Sequence, residues 1–269
     1  MKGILCCLLL LASHAFGQFA IGHTTLTFND PSRTGGFGSG GGSGRQIQTE
    51  IYYPSTSAGT STPVASGEFP VIVFGHGFAM SWDAYNDIWE HYVPRGYILA
   101  FVRTEGSLIP SPSHGDFGLD LALVAQKMLE LQTTSTLFQN HIAPKVGIMG
   151  HSMGGGASFL AASNNTNIHA LIGLAPAETT PSAIAVAPNV LVPSIVFSGS
   201  SDGVTPPAQN HIPMFDGMTS MCKSFVSITG GGHCYFANAN FNCDFGESTS
   251  STGISITRAQ QQAATFAVL

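Results

Sequence analysis

Ser152 lies at the centre of a Gly-His-Ser-Met-Gly pentapeptide, residues 150–154, which directly follows an apolar run at 145–149. Glycines on both sides allow the chain to turn sharply from a strand into a helix, with the serine strained and its hydroxyl projecting above the sheet. The Gly- and Ala-rich residues 153–162 suit a helix that packs close to that strand. This succession predicts that Ser152 is a nucleophile; the alternative is a glycine-rich turn with an unreactive serine.

A serine nucleophile needs a base within hydrogen-bond reach and an acid that orients the base. In a doubly wound sheet the acid follows a later strand and the histidine follows the last one. Asp202 follows the predicted strand 194–198, and His233 follows the predicted last strand 223–228 after three glycines. We therefore predict Asp202 as the acid and His233 as the base, although an Asp in a turn is more often a turn-former. The reserve acid is Glu178, and the weaker candidate bases are His76, His114, His151, His169 and His211.

The negative charge that develops on an attacked carbonyl oxygen is stabilised by two N–H donors. One is the backbone amide of the residue after the nucleophile, here Met153. The other comes from the loop after the predicted strand 69–74, where Gly77 permits a tight turn and Phe78 is our predicted donor. The histidines are scattered and lack carboxylates at ligand spacing, so we predict no metal site and no cofactor.

Short runs of Val, Ile, Leu and Phe alternate with helical patterns from residue 69 onward, which predicts a parallel sheet covered by helices on both faces. Two alternating segments, 24–28 and 47–53, flank the glycine-rich residues 33–44 and predict an antiparallel hairpin at the sheet edge. In such α/β folds the chemistry lies at the carboxyl ends of the strands. The predicted strands are 69–74, 97–102, 146–149, 170–174, 195–198 and 223–228, and the predicted helices lie around 82–92, 116–131, 153–162 and 256–268.

Residues 1–17 are typical of a signal peptide, with Lys2 before a short apolar stretch and small residues at Ala15 and Gly17. We therefore expect a secreted protein, extracellular or periplasmic if bacterial, with no stable membrane anchor. We predict that residues 18–269 form one domain. The chain stops within its last helical pattern, which leaves open whether that helix is complete.

Charged residues make up only 9% of the chain, and the formal net charge is −6 with no basic cluster. Nucleic acid is therefore excluded as a partner, and we expect a monomer.

Three cysteines remain after residue 17, and an oxidising compartment predicts at least one disulfide. Cys234 with Cys243 would close a short loop after His233, which leaves Cys222, predicted to be buried and unreactive.

Four motifs together resemble the α/β-hydrolase superfamily, and more narrowly the bacterial cutinases and polyester (PET) hydrolases of its dienelactone-hydrolase-related branch. They are His76-Gly77-Phe78, residues 150–156, Asp202-Gly203-Val204 and Gly232-His233. The resemblance covers most of the mature chain, including segments at 36–54 and 211–215. It implies an α/β-hydrolase fold with no evident lid domain, and hydrolysis of small or polymeric carboxylic esters through an acyl-enzyme.

Carried over to this sequence, the resemblance implies a catalytic triad of Ser152, Asp202 and His233, with Phe78 and Met153 as the oxyanion donors. It also implies a shallow apolar cleft, lined by Phe78, His151, Met153 and Val204. One departure concerns a tryptophan. Polyester hydrolases generally place it just after the strand that follows the helix behind the nucleophile. This chain has Pro176-Ala177-Glu178-Thr179 there. The difference removes one aromatic wall and argues against efficient PET cleavage, while simple ester hydrolysis is unaffected.

Two alternative functions are compatible with the same motifs. The first is a lipid-directed esterase of the platelet-activating-factor acetylhydrolase or chlorophyllase type. The second is a non-catalytic binding protein on a hydrolase scaffold, since a fold alone does not establish activity. Every triad residue and both glycines of the pentapeptide are present. This disfavours the hypothesis of a non-catalytic binding protein.

Overall fold

The computed structural model describes residues 18–269, and the predicted signal peptide lies outside the described residues. Residues 18–269 form a ten-stranded mixed sheet with helices between the strands. The strands are β1 Ala20–Asp30, β2 Gly36–Phe37, β3 Arg45–Ser55, β4 Gly59–Thr60, β5 Phe69–Gly75, β6 Ile98–Val102, β7 Ile142–His151, β8 Ile168–Leu174, β9 Ser194–Gly199 and β10 Lys223–Ile228. The α-helices are α1 Asn86–Tyr92, α2 His114–Thr134, α3 Met153–Ala162, α4 Ala183–Val186, α5 His211–Gly217, α6 Phe241–Ser250 and α7 Arg258–Phe266. Short 3-10 helices cover Trp82–Tyr85, Val93–Arg95, Ala187–Asn189 and Cys234–Phe236.

The strand order is β10-β9-β8-β7-β5-β6-β3-β1-β4, with β2 beside β3. Strands β5 to β10 pair in parallel, whereas β1 and β3 form the predicted antiparallel hairpin and β3 runs antiparallel to β6. This arrangement is the α/β-hydrolase fold, and the predicted fold class is confirmed. Because β7, β8 and β9 are adjacent and parallel, the loops that follow them meet at one edge of the sheet.

The sheet is buried on both faces, which explains why its central strands are apolar at nearly every position. Along β5, Val71 and Val73 belong to a core that includes side chains of α2 and α3. The alternate residues, Ile72 and Phe74, belong to a second core on the opposite face with side chains of α1. Burial of each such side chain contributes about 1.5–3 kcal/mol to the free energy of unfolding.

All six predicted parallel strands are present, and several are longer than the apolar pattern indicated. Strand β7, for example, extends from Ile142 to His151. Helices α4, α5 and α6 had no clear signal, because α4 and α5 span only four and seven residues and α6 is rich in Ser, Thr and Gly. Among residues 18–269, no helix is both long and apolar enough to cross a membrane.

The predicted disulfide is present between Cys234 and Cys243, and it joins the segment after β10 to α6. The prediction for Cys222 is wrong, since this free cysteine is exposed. Cys222 directly precedes β10, and β10 is the edge strand of the sheet, with β9 as its one neighbour in the strand order. The prediction followed the general tendency of free cysteines to be buried, whereas a residue at the start of an edge strand has a neighbouring strand on one side only.

Candidate active site

Ser152 occupies a sharp turn between β7 and α3, with backbone angles φ 56° and ψ −121°. A non-glycine residue rarely adopts a positive φ, so this conformation stores strain that the surrounding packing must maintain. A Cβ atom on Gly154 would lie 2.1 Å from the carbonyl oxygen of Gly75, and one on Gly150 would lie 2.2 Å from that of Gly154. The glycines of the pentapeptide therefore permit backbone contacts that no other residue allows.

Asp202 and His233 lie in direct contact after the carboxyl ends of β9 and β10. His233 Nδ1 is 2.8 Å from Asp202 Oδ2, and both side chains are buried. The backbone N–H of Thr205 donates to Asp202 Oδ1 at 2.7 Å. Burial alone would raise the pKa of Asp202, but the hydrogen bond and charge of His233 and the Thr205 N–H outweigh it and lower this pKa below its usual value. The carboxylate is thus kept ionised beside the imidazole.

His233 lies beside the turn that holds Ser152, because it contacts the residue preceding the serine. The rings of His151 and His233 are 4.7 Å apart between centroids, and His151 Nε2 is 3.1 Å from the backbone oxygen of His233. The structure therefore brings the three residues of the predicted triad to one place. Their catalytic roles remain predictions.

The loop that carries His233 is fixed by side chains of α6 and α7. Glu247 of α6 accepts hydrogen bonds from the N–H groups of His233 at 2.6 Å and Cys234 at 2.7 Å. Gln261 of α7 accepts from the Gly232 N–H at 2.9 Å and donates to the Gly232 oxygen at 2.8 Å. Both side chains are buried. Neither residue was predictable from the sequence, because a carboxylate or amide that supports a backbone has no motif of its own.

The predicted oxyanion loop follows β5 and is fixed at several points. The two ring nitrogens of His76 lie 2.9 Å from the backbone oxygens of Gly77 and Thr104, and the Gly77 N–H donates to the Tyr85 hydroxyl at 2.8 Å. Within residues 18–269, the Phe78 N–H has no acceptor. Since Met153 is the first residue of α3, its N–H also lacks an intrahelical partner. Both predicted donors are thus available to bind an oxygen.

The four predicted cleft residues fall into two groups. Phe78 and Val204 are exposed, at 47% and 38%, as a substrate-contacting surface requires. His151 is fully buried and Met153 is 2% exposed. Both are as buried as His233, which is 1% exposed, and their cleft-lining role stays a prediction.

His151 connects the predicted oxyanion loop after β5 to the loop that carries His233. Its Nε2 must donate to the His233 oxygen, which can only accept, so its unprotonated Nδ1 accepts from the Tyr85 hydroxyl at 2.9 Å. Burial and then the charge of His233 lower the pKa of His151 well below its usual value. A neutral His151 fits this pattern of hydrogen bonds.

Glu178, the reserve acid, lies elsewhere: its carboxylate accepts from the backbone N–H of Ile184 at 2.9 Å. The neighbouring Ala177 lies beside the nucleophile, since its N–H donates to the backbone carbonyl oxygen of Ser152 at 2.9 Å. Ala177 is partly exposed. The segment 176–179, where the resemblance leads us to expect a tryptophan, therefore adjoins the candidate nucleophile through Ala177.

A family model described as PET hydrolase-like matches residues 11–255. The chain belongs to this family. The match spans the elbow and both loops that carry Asp202 and His233, and it confirms the family resemblance predicted from the motifs.

Curated relatives of this PET hydrolase-like protein have different names. It is 28% identical to chlorophyllase-1, chloroplastic, of Citrus sinensis, over 64% of this chain and 56% of the relative. It is 26% identical to a bis(hydroxyethyl) terephthalate hydrolase of Streptomyces coelicolor, over 68% of this chain and 54% of the relative. It is 22% identical to cutinase 1 of Thermobifida cellulosilytica, over 79% and 72%. The chain thus spans just over half the length of the first two relatives.

Proposed function

We propose that this protein is a serine hydrolase that cleaves carboxylic esters through an acyl-enzyme on Ser152. The observation that carries the proposal is the strained, positive-φ Ser152 at the carboxyl end of the sheet, beside a buried His233 that is hydrogen-bonded to Asp202. Membership of the PET hydrolase-like family and the relatives named as hydrolase, cutinase and chlorophyllase support the same chemistry.

In the first half-reaction, His233 Nε2 accepts the proton of the Ser152 hydroxyl as Ser152 Oγ attacks the ester carbonyl carbon. Asp202 binds the Nδ1–H, which leaves Nε2 unprotonated and stabilises the imidazolium that forms. The N–H groups of Phe78 and Met153 bind the tetrahedral oxyanion. When that intermediate collapses, His233 returns the proton to the leaving alcohol, and the acyl group stays on Ser152.

In the second half-reaction, His233 removes a proton from water, which attacks the acyl carbonyl carbon. The Ser152–acyl bond then breaks, Ser152 recovers its proton from His233, and the carboxylic acid leaves. The reaction consumes one ester and one water and yields one alcohol and one acid, with no cofactor.

For the substrate, we favour a small ester or a polyester surface, as for a cutinase. The exposed Phe78 and Val204 offer apolar contacts, and Ala177 leaves space beside Ser152. The specific alternative is a lipid-like ester, favoured by the similarity to chlorophyllases.

We also propose that the protein is exported, because the Cys234–Cys243 disulfide is suited to an oxidising compartment.

The test uses p-nitrophenyl esters of graded acyl length, bis(hydroxyethyl) terephthalate, a polyester film and phospholipid vesicles. We expect turnover of the short esters, and Ser152→Ala should lower kcat by at least about a thousandfold with the fold retained. Ser163→Ala, at the end of α3, is the matched control and should keep wild-type rates. Equal ester turnover by wild type and Ser152→Ala would refute the proposal, whereas preferred turnover of phospholipid would select the lipid-directed alternative.

A further inference from the structure

A chain of buried polar side chains extends from Asp202 through Thr205 and His211 to Ser198. The Thr205 hydroxyl lies 2.9 Å from Asp202 Oδ2 and 3.0 Å from His211 Nε2. His211 Nδ1 lies 2.8 Å from the Ser198 hydroxyl. His211 is fully buried, and Thr205 and Ser198 are 6% and 1% exposed. These groups therefore depend on one another for their hydrogen bonds.

One assignment of hydrogens satisfies all of these contacts. The ionised carboxylate of Asp202 can only accept, so the single hydroxyl hydrogen of Thr205 points to it. The Thr205 oxygen then offers His211 only lone pairs, and His211 must carry its hydrogen on Nε2. The unprotonated Nδ1 of His211 accepts the hydroxyl hydrogen of Ser198.

The Thr205 hydroxyl has one competing acceptor that would turn it away from Asp202, the backbone oxygen of Ala175 at 3.4 Å. Its oxygen is also 2.9 Å from His233 Nδ1, whose N–H can only donate to it. A donor at His211 Nε2 occupies a lone pair of this oxygen and keeps the hydroxyl hydrogen on the Asp202 side. The carboxylate then accepts both this hydrogen and the His233 Nδ1–H on the same oxygen.

We propose that His211 is a positioning residue for the acid of the triad: through Thr205 it fixes Asp202 in the orientation that receives the His233 Nδ1–H. This inference rests on the proposed function. His211 touches neither the substrate nor Ser152, so its effect on the reaction passes through Thr205 and Asp202.

The arrangement requires a neutral His211, since an imidazolium there would compete with His233 for Asp202. Burial lowers the pKa of His211 to about 4, against the opposing charge of Asp202 and with the added effect of His233. Asp202 Oδ2 is 3.7 Å from His211 Nε2, and His151 is a further titratable neighbour. His211 therefore stays neutral down to about pH 4.

The test compares His211→Leu, His211→Gln and Ser198→Ala in the full chain with p-nitrophenyl butyrate. His211→Leu removes both hydrogen bonds and should lower kcat about tenfold, with KM changed less than about twofold. His211→Gln restores an N–H donor towards Thr205 and should recover at least about half of the lost kcat. Ser198→Ala, which deletes only a hydroxyl, should lower kcat in the same direction by a smaller factor. His169→Leu, on a partly exposed histidine of β8, is the matched control.

Two readouts distinguish positioning from a loss of packing. When Asp202 loses a donor, more charge remains to stabilise the His233 imidazolium, so the acidic limb of the kcat/KM profile should move to higher pH by about half a unit in His211→Leu. The low-field NMR signal of the His233 Nδ1–H should shift in His211→Leu and Ser198→Ala and return towards its wild-type position in His211→Gln.

Wild-type kcat and an unmoved pH profile in folded His211→Leu would overturn the inference, and so would an equal loss in His211→Gln. If His211→Leu does not fold, an unchanged NMR signal and kcat in Ser198→Ala would overturn it instead. Because Ser152→Ala is measured in the same assay, an active wild type that depends on Ser152 shows that such a failure belongs to the inference alone. An active Ser152→Ala would refute the proposed function itself.

Discussion

The carboxylate of Glu247 binds the backbone of His233: its two oxygens accept the N–H groups of His233 at 2.6 Å and Cys234 at 2.7 Å. Glu247 lies on α6, four residues after Cys243, which is joined to Cys234 by the disulfide. The helix therefore holds the histidine loop at two adjacent points. This pairing fixes the backbone from which the candidate base projects.

Glu247→Gln should lower both stability and activity. The amide N–H₂ replaces one acceptor and leaves a buried backbone N–H unpaired, which costs about 1–3 kcal/mol of the free energy of unfolding. We expect kcat on p-nitrophenyl butyrate to fall about tenfold with little change in KM, because His233 loses its fixed position.

The matched control is Glu130→Gln on α2, where the carboxylate forms a partly exposed pair with Lys127 at 2.7 Å. It should change the free energy of unfolding by less than about 0.5 kcal/mol and leave kcat unaltered. Wild-type kcat in Glu247→Gln would show that this carboxylate is not needed to position the loop that carries His233.

Gly154→Ala should disrupt the turn at Ser152. The added Cβ would lie 2.1 Å from the Gly75 backbone oxygen, and backbone cannot move aside as the end of a side chain can. We expect a loss of about 2 kcal/mol or more of the free energy of unfolding, measured by urea denaturation. Gly246→Ala is the control, since its Cβ would meet nothing within 4 Å in α6. That variant should be neutral or more stable, and equal losses in the two variants would contradict the steric account.

The free energy of unfolding should fall as the pH drops from about 6.5 towards about 4. His211 is neutral in the folded protein down to a pKa of about 4, whereas the unfolded chain protonates it near the ordinary value of 6.5. The unfolded state thus binds more protons within this window, and the stabilisation present above pH 6.5 is lost as the pH falls. The contribution of His211 is on the order of 3 kcal/mol.

Urea denaturation at pH 7 and pH 4.5 tests this contribution by comparing the loss of stability in wild type and in His211→Leu. The loss should be smaller in the variant, because leucine binds no proton, while His169→Leu should retain the wild-type loss. An identical loss in wild type and His211→Leu would show that His211 is not kept neutral by folding.

Ala177→Trp should raise activity on aromatic esters. Its backbone N–H donates to the backbone oxygen of Ser152 at 2.9 Å, which places residue 177 next to the nucleophile in the fold. We expect an indole at this position to stack on an aromatic acyl group. We expect kcat/KM for bis(hydroxyethyl) terephthalate to rise about threefold or more, with p-nitrophenyl acetate nearly unchanged. Ala177→Leu is the matched control for size without an aromatic face. An equal gain in both variants would indicate simple apolar contact, and a fall on every ester would indicate a blocked cleft.

The local pattern was sufficient for the strands, the turn at Ser152 and the contact between Asp202 and His233. Each depends on a few consecutive residues and on the rule that parallel strands end at one edge. The burial of His151 was not predictable in this way, because it depends on Tyr85 and on the backbone of His233, which are distant in sequence.

The supporting residues were missed for the same reason. Glu247 and His211 are single polar residues in segments without apolar periodicity, and their partners become neighbours only in the folded protein. Free cysteines are usually buried, and only the strand order shows that Cys222 precedes a strand at the sheet edge. Pairwise contacts between distant residues are not encoded in local composition.

The central claim is that Ser152 becomes covalently acylated, and rapid-quench mass spectrometry tests it directly. Wild-type protein mixed with a p-nitrophenyl ester and quenched in acid should carry one acyl group, located on the peptide that contains Ser152. This adduct should form with a burst of one p-nitrophenol per protein and be absent from Ser152→Ala. Steady ester turnover with an acyl group on another residue, or with none in wild type under burst conditions, would contradict the account.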